Sequence, residues 1–263
     1  MDLNSLFTLS GRTALVTGGS RGIGKMIVEG YLAAGCERVF ITARKMDQVQ
    51  ATVDELGDKV VGMQSDLATV AGVRAFAEEL KGHTDRLDIL VNNAGAAWGA
   101  PFEEFPEAGW DRAMDLNVKS PFFLTQSLHG MLKAAATEER PAKVINIGSI
   151  DGQRLNPWET YSYHASKAAI LWLTKRLAAR LIEDNIVMTA IAPGAFASDM
   201  NKAARDHGDA VGQGIPSGRI GVTEDMAAAA IYLASRAGDY VVGETLTVDG
   251  GLVSASLKTS IDG

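Results

Sequence analysis

The chain has 263 residues, 46% of them hydrophobic and 22% charged, a balance that fits a packed globular domain and excludes a disordered or fibrous one. A net charge of −7 argues against nucleic acid as a ligand, because neutralising phosphates needs an excess of Lys and Arg on one face. The single Cys36 allows no internal disulfide and suits a reducing cytosol, and neither a signal peptide nor a membrane-length apolar run is expected.

In chain order, Thr13–Val16 is a short apolar stretch that reads as a buried strand. Gly18, Gly22 and Gly24 follow, and Ile23, Ile27 and Tyr31 then recur at helical spacing. Strand, glycine turn and helix is the order a pyrophosphate site requires. Glycines let the backbone approach the phosphates, and the helix N-terminus offers unpaired N–H groups. The spacing G-x-x-x-G-x-G differs from the G-x-G-x-x-G of larger dehydrogenases.

Further strands are expected at Arg38–Ala43, Val60–Ser65, Leu87–Asn92, Lys143–Ile147, Ile186–Ile191 and Thr245–Val248, with helical stretches between most of them. This alternation predicts a single α/β domain over residues 1–263, a Rossmann-like doubly wound parallel sheet with helices on both faces. Ligands of such folds bind beyond the carboxyl ends of the strands. Asp66, Asn92, Ser149 and Pro193-Gly194 all follow strands at that end.

Near the middle, Pro121 lies four residues after Asn117 in a helical segment and has no N–H to bond the Asn117 carbonyl. A carbonyl freed in this way can hold a water. Tyr163 and Lys167 are one helical turn apart, so phenol and ammonium share a face. A free phenol titrates near ~10, and a nearby cation is expected to bring it down toward the working range of an acid–base group. The scattered His83, His129, His164 and His207 show no metal-ligand spacing, so no metal is expected. Trp98 and Phe196 follow loops at the strand ends and are candidates to line a substrate pocket. The polar, glycine-rich Asp199–Arg219 reads as a lid.

Thr17-Gly18-Gly19-Ser20-Arg21-Gly22-Ile23-Gly24, Asn92-Asn93-Ala94-Gly95, Asn117, Ser149, Tyr163-x-x-x-Lys167 and Pro193-Gly194 stand in the order and spacing of the short-chain dehydrogenase/reductase family. The chain resembles that family from about Leu9 to Gly251, and within it the 3-oxoacyl-(acyl-carrier-protein) reductase branch. The resemblance implies a catalytic set of Asn117, Ser149, Tyr163 and Lys167. Ser149 donates to the substrate carbonyl, Tyr163 moves the proton, Lys167 also binds the nicotinamide ribose, and Asn117 supports a water relay. It further implies cofactor contacts at Gly18, Ser20, Arg21, Gly22, Ile23, Gly24, Arg44, Asp66, Leu67, Asn93, Ala94, Gly95, Pro193, Gly194, Phe196 and Ser198, besides Tyr163 and Lys167.

At the end of the second strand, where an NAD-binding relative has an acid, this chain has Ala43 followed by Arg44, and Arg21 stands in the glycine turn. Two guanidinium groups and no carboxylate suit a 2′-phosphate, so NADPH/NADP is the expected cofactor. The expected reaction is reduction of a 3-oxoacyl thioester of coenzyme A or acyl-carrier protein. Alternatives are an NADP-linked dehydrogenase of a small secondary alcohol, ketone or polyol, and a cofactor-binding regulator without turnover. Arg140 falls near a position where fatty-acid ketoacyl reductases present a base to the carrier protein. A cytoplasmic homotetramer, with no nucleic-acid or membrane partner, completes the expectation.

Overall fold

The strands β1 (Thr13–Thr17), β2 (Arg38–Ala43), β3 (Val60–Gln64), β4 (Ile89–Asn92), β5 (Ala142–Ile147), β6 (Ile186–Pro193) and β7 (Thr245–Val248) form one sheet. Their order is β3-β2-β1-β4-β5-β6-β7, with every pair parallel, in a computed structural model that describes residues 1–256. Residues 257–263 of the expected domain lie outside the described residues. The helices are α1 (Leu3–Phe7), α2 (Gly22–Ala33), α3 (Met46–Leu56), α4 (Val70–Lys81), α5 (Glu107–Met114), α6 (Ser120–Ala135), α7 (Tyr161–Leu181), α8 (Lys202–Asp206), α9 (Gly208–Gln213) and α10 (Thr223–Ala234). The Rossmann-like doubly wound sheet expected from the alternation is present.

Central strands buried on both faces are mainly apolar, and every residue of β5 and β6 is buried, with Lys143, Asn146 and Thr189 as buried polar exceptions. Successive side chains on a strand point to opposite faces and so feed two cores. Val16 and Ile41 join Tyr31, Val49, Met226 and Leu233 under α2, α3 and α10. Leu15 and Phe40 join Phe76, Leu128, Leu181 and Met188 under α4, α6 and α7. Gly30 sits mid-helix because a Cβ there would meet the Ala227 Cβ at 2.6 Å, so α2 and α10 approach through it.

Departures from the expected boundaries have local causes. β4 starts at Ile89 rather than Leu87, because the Leu87 N–H bonds the Met131 carbonyl and Asp88 belongs to an ionic cluster. The Asp88 carboxylate accepts from the Thr13 N–H at 2.9 Å and pairs with Arg12 and Arg86. β6 runs on to Pro193 because β7 pairs with it through Val248. The segment expected as an irregular lid contains α8 and α9, each too short to show a periodicity. Between α5 and α6, Asp115–Lys119 forms a π-helical turn ahead of Pro121. No helix among the described residues is long and apolar enough to cross a membrane.

Candidate active site

The strand order reverses between β1 and β4, which opens a crevice at their carboxyl ends. After β1 the chain turns through Gly18 at φ +65° and Gly22 at φ +51°, left-handed conformations that favour glycine. Gly24 is required for a different reason: a Cβ there would lie 2.3 Å from the Gly18 carbonyl and 2.5 Å from Asn93 Nδ2. Ile23 and Gly24 open α2, whose first turn faces this loop.

The loop after β4 is bound to the same turn. The Thr17 hydroxyl accepts from the N–H groups of Asn93 and Ala94, each at 2.9 Å. Asn93 Nδ2 returns a bond to the Thr17 carbonyl at 2.8 Å. Gly95 follows, where a Cβ would meet Asn117 Oδ1 at 3.0 Å and Lys167 Nζ at 3.8 Å. The glycine turn, the β4 loop and α7 are thus in direct succession across the crevice.

Ser149 leaves β5 and caps the 3-10 turn Ile150–Gly152, its Oγ accepting from the Asp151 N–H at 3.1 Å. The Ser149 side chain also acts on the Tyr163 phenol, favouring its ionised form. The Lys167 ammonium lies 5.5 Å from the Tyr163 ring centroid and donates to the Ile147 carbonyl at 2.8 Å. Gly152 lets this turn rest on α7, since a Cβ there would lie 2.6 Å from the Lys167 backbone. Asn117 is buried at the π-turn; its Oδ1 accepts from the Ala96 N–H, and its Nδ2 donates to the Ala96 carbonyl and the Ser166 hydroxyl. The four residues of the expected catalytic set therefore lie on segments in direct contact with one another.

The electrostatics correct one expectation. Burial pushes the Tyr163 phenol up to about 12, with Ser149 opposing and the Asp151 charge adding to it. Tyr163 keeps some solvent contact, which tempers the effect, but the direction is upward, not downward. Desolvation, which Lys167 shares, outweighs the effect of a neighbouring cation. Burial lowers the ammonium to about 8, with Asp151 opposing. Desolvation thus acts on both groups toward the neutral form, raising the phenol and lowering the ammonium.

At the opposite end of the crevice, Ala43 closes β2 and Arg44 projects into solvent, with no ion pair among the described residues. Arg21 is exposed in the glycine turn and pairs with Asp199. Ser20 is buried and its carbonyl accepts from Thr52 Oγ1 at 3.0 Å. Asp66 is exposed after β3, whereas Leu67 is buried in the core, so only its backbone faces outward. Beyond β6, the Gly194 N–H bonds the Val248 carbonyl, and a Cβ at Gly194 would lie 2.7 Å from the Asp249 Cα. Phe196 is buried against Gly221, which leaves its backbone but not its ring to meet a cofactor. Ser198 lies beside the turn, where a Cβ on Gly22 would be 3.1 Å from the Ser198 Cβ.

Three other candidates are placed elsewhere. Trp98 packs on Gly109 of α5, with the Arg112 guanidinium 5.9 Å from its ring, so it supports α5. His164 turns its Nδ1 to Thr160. Arg140 precedes β5 and donates to the Ser10 carbonyl at 3.1 Å, at the end of the sheet opposite Ser149. Thr17, Ser166 and Asp151, outside the expected set, each touch or polarise it. Only Thr17 carried a signal, as the residue opening the glycine motif.

The geometry can hold a dinucleotide along the glycine turn and present a carbonyl to Ser149 and Tyr163. Residues 18–253 match a family model described as enoyl-(acyl carrier protein) reductase. The chain is 45% identical over 255 residues to the rhamnolipids biosynthesis 3-oxoacyl-(acyl-carrier-protein) reductase of Pseudomonas aeruginosa, covering 95% of this chain and 99% of that protein. It is 35% identical over 258 residues to 2-dehydro-3-deoxy-D-gluconate 5-dehydrogenase of Dickeya dadantii, covering 95% and 98% respectively. Among solved structures, the Pseudomonas aeruginosa RhlG/NADP active-site complex is similar with a TM-score of 0.89 at 45% identity, covering 94% of this chain and 98% of that one.

Proposed function

The chain belongs to the short-chain dehydrogenase/reductase family, and we propose that it reduces a 3-oxoacyl thioester to the 3-hydroxyacyl thioester with NADPH. The observation that carries this reading is the meeting of Ser149, Tyr163 and Lys167 beside the Gly18–Gly24 turn. When bound, NADPH supplies the hydride. Ser149 donates to the substrate carbonyl oxygen, and the Tyr163 phenol protonates that oxygen as negative charge builds on it. Lys167 stabilises the phenolate left behind, and Asn117 holds its part of the π-turn so that a water on the freed carbonyl can return a proton through Lys167.

The glycine turn, Asn93–Gly95 and Pro193–Ser198 would hold the pyrophosphate and nicotinamide. Arg44 and Arg21 would hold the 2′-phosphate and Asp66 the adenine. A guanidinium with no ion pair at the end of β2 fits a phosphate and not a bare ribose. A second reading, oxidation or reduction of a sugar-derived polyol, draws on the likeness to the gluconate-type dehydrogenase. Within that reading, Asp151 weighs against a sugar acid and not against an uncharged polyol, because a sugar acid would bring a second carboxylate toward the charge that already acts on Tyr163 and Lys167. A regulator without turnover would not need Ser149, Tyr163 and Lys167 kept together.

The thioester carrier is coenzyme A or acyl-carrier protein; Arg140, at the far end of β5, lends no direct support to the latter. We also infer a cytoplasmic homotetramer, with α7 and the β7 region in interfaces. An open groove of about 470 Å³ between Trp172, Lys175 and Glu244 offers the surface for a neighbouring protomer, and Trp172 is 73% exposed beside it. Light scattering tests the assembly. The function is tested by NADPH oxidation over a panel of acetoacetyl-CoA, longer 3-oxoacyl thioesters, simple ketones and sugars. A higher kcat/KM for the thioesters is expected; a preference for sugars or simple ketones would transfer the assignment to the second reading.

A further inference from the structure

Arg21 and Arg44 are alike in sequence terms but not in their surroundings. The Arg44 guanidinium has no ion pair among the described residues, whereas Arg21 reaches a carboxylate 178 positions away, its Nη1 bonding Asp199 Oδ2. The other oxygen of Asp199 accepts from Arg205 Nη1 at 2.8 Å. Arg21, and then Arg205, hold the Asp199 carboxyl below the usual carboxylate range, so it stays ionised at neutral pH. The contact is built into the fold, because Ser198 lies against Gly22 and delivers Asp199 to the rim of the glycine turn.

We propose that Asp199 is a specificity-determining residue that limits the preference for a 2′-phosphorylated dinucleotide by sharing the Arg21 guanidinium with the phosphate. This rests on the reading that the cofactor is NADPH. A guanidinium has five N–H donors, and Asp199 takes only one edge, so Arg21 can meet both anions together. The result is a carboxylate and a dianionic phosphate on one cation, and their mutual repulsion offsets part of the attraction. NADH lacks the phosphate and does not experience that repulsion. The pair is solvent-exposed, which keeps the effect to that of a surface interaction.

The test is fluorescence titration of NADPH and NADH against the full chain, comparing wild type, Asp199→Asn, Arg21→Ala and the double variant. Asp199→Asn keeps the side-chain shape and should tighten NADPH about two- to fivefold while leaving NADH unchanged. In the Arg21→Ala background there is no shared cation, so the gain from Asp199→Asn for NADPH should shrink, with NADH again unchanged. Equal weakening of both cofactors by Asp199→Asn would overturn the proposal and make Asp199 a closure contact. No change in either would overturn it as well. If wild type prefers NADH and Arg44→Ala lowers both cofactors equally, the NADPH reading itself fails; an NADPH preference that Asp199→Asn leaves untouched removes only the role of Asp199.

Discussion

Asn117 Nδ2 and Ser166 Oγ are 2.9 Å apart, a hydrogen bond that ties the π-turn before Pro121 to the helix carrying Tyr163 and Lys167. Ser166 Oγ in turn donates to the Tyr163 carbonyl at 2.8 Å, so the amide is coupled to the backbone of the proposed acid. Asn117 therefore has a positioning role besides any part in a water relay. Single π-turns of this kind within helices are frequent at functional sites.

Asn117→Ala should strip partners from the Ala96 N–H and carbonyl and from Ser166. A buried group left unpaired costs about 1–3 kcal/mol, and a loss of stability of that order is expected in a denaturant titration, together with slower turnover. Unchanged stability would show that these bonds are replaced by water and that Asn117 does not position α7.

Tyr163→Phe removes the phenol proton and little volume. Turnover should fall by at least about a hundredfold, since general acid–base groups contribute ~10²–10⁴, while NADPH titrates as before. A variant that keeps most of its rate would assign the proton to another group.

Lys167 gives a pH prediction with a definite sign. Its ammonium is held at about 8, below the ordinary 10.5, while Tyr163 is held at about 12, so carbonyl reduction should decline as pH rises through about 8. In Lys167→Met only the phenol is left to titrate, and the basic limb of the pH–rate profile should move upward while NADPH binds more weakly. The folded-state value lies below the unfolded one, so the buried ammonium lowers stability below about pH 8, and this loss lifts between about 8 and 10.5. The Met variant should accordingly gain most in Tm at neutral pH and lose that advantage above pH 8. An unshifted rate profile with unchanged NADPH affinity would make Lys167 a structural cation only.

Arg44 and Ala43 set the cofactor prediction. Loss of a charge-assisted contact costs about 1.5–3 kcal/mol, roughly ten- to a hundredfold in affinity, so Arg44→Ala should weaken NADPH and leave NADH nearly unchanged. Ala43→Asp should go further by adding repulsion to the 2′-phosphate and an acceptor for the ribose of NADH. The measurement is kcat/KM with both cofactors. Equal losses for the two would remove Arg44 from the phosphate site.

The sheet was legible in the sequence because buried parallel strands are mainly apolar runs, and β2 and β7 have the bounds expected of them. Ser149, Tyr163 and Lys167 were legible because their spacing is local or fixed by strand ends. The pairing of Arg21 with Asp199, the packing of Trp98 on Gly109 and the coupling of Asn117 to Ser166 were not, since each joins segments whose approach only the tertiary fold decides. The upward shift of Tyr163 escaped for a related reason: spacing reveals a neighbouring charge but not the loss of water around both groups. The short α8 and α9 carry too few turns for a periodic signal.

The placement of β1 between β2 and β4 has a consequence for how the chain reaches its native state. Ala14 pairs with Val39 on one side and with Ile89 on the other, so the first strand made is completed only after most of the first hundred residues exist. Such separated pairings raise contact order and slow folding relative to a helical protein of similar size. The crevice needs still later pieces, up to Gly194 and Ser198, so no N-terminal fragment owns a complete dinucleotide site. A ligand that binds only the finished fold, at a hundred times its Kd, adds about 2.7 kcal/mol against global unfolding. Cofactor concentration therefore acts on the survival of the whole chain, not of one loop.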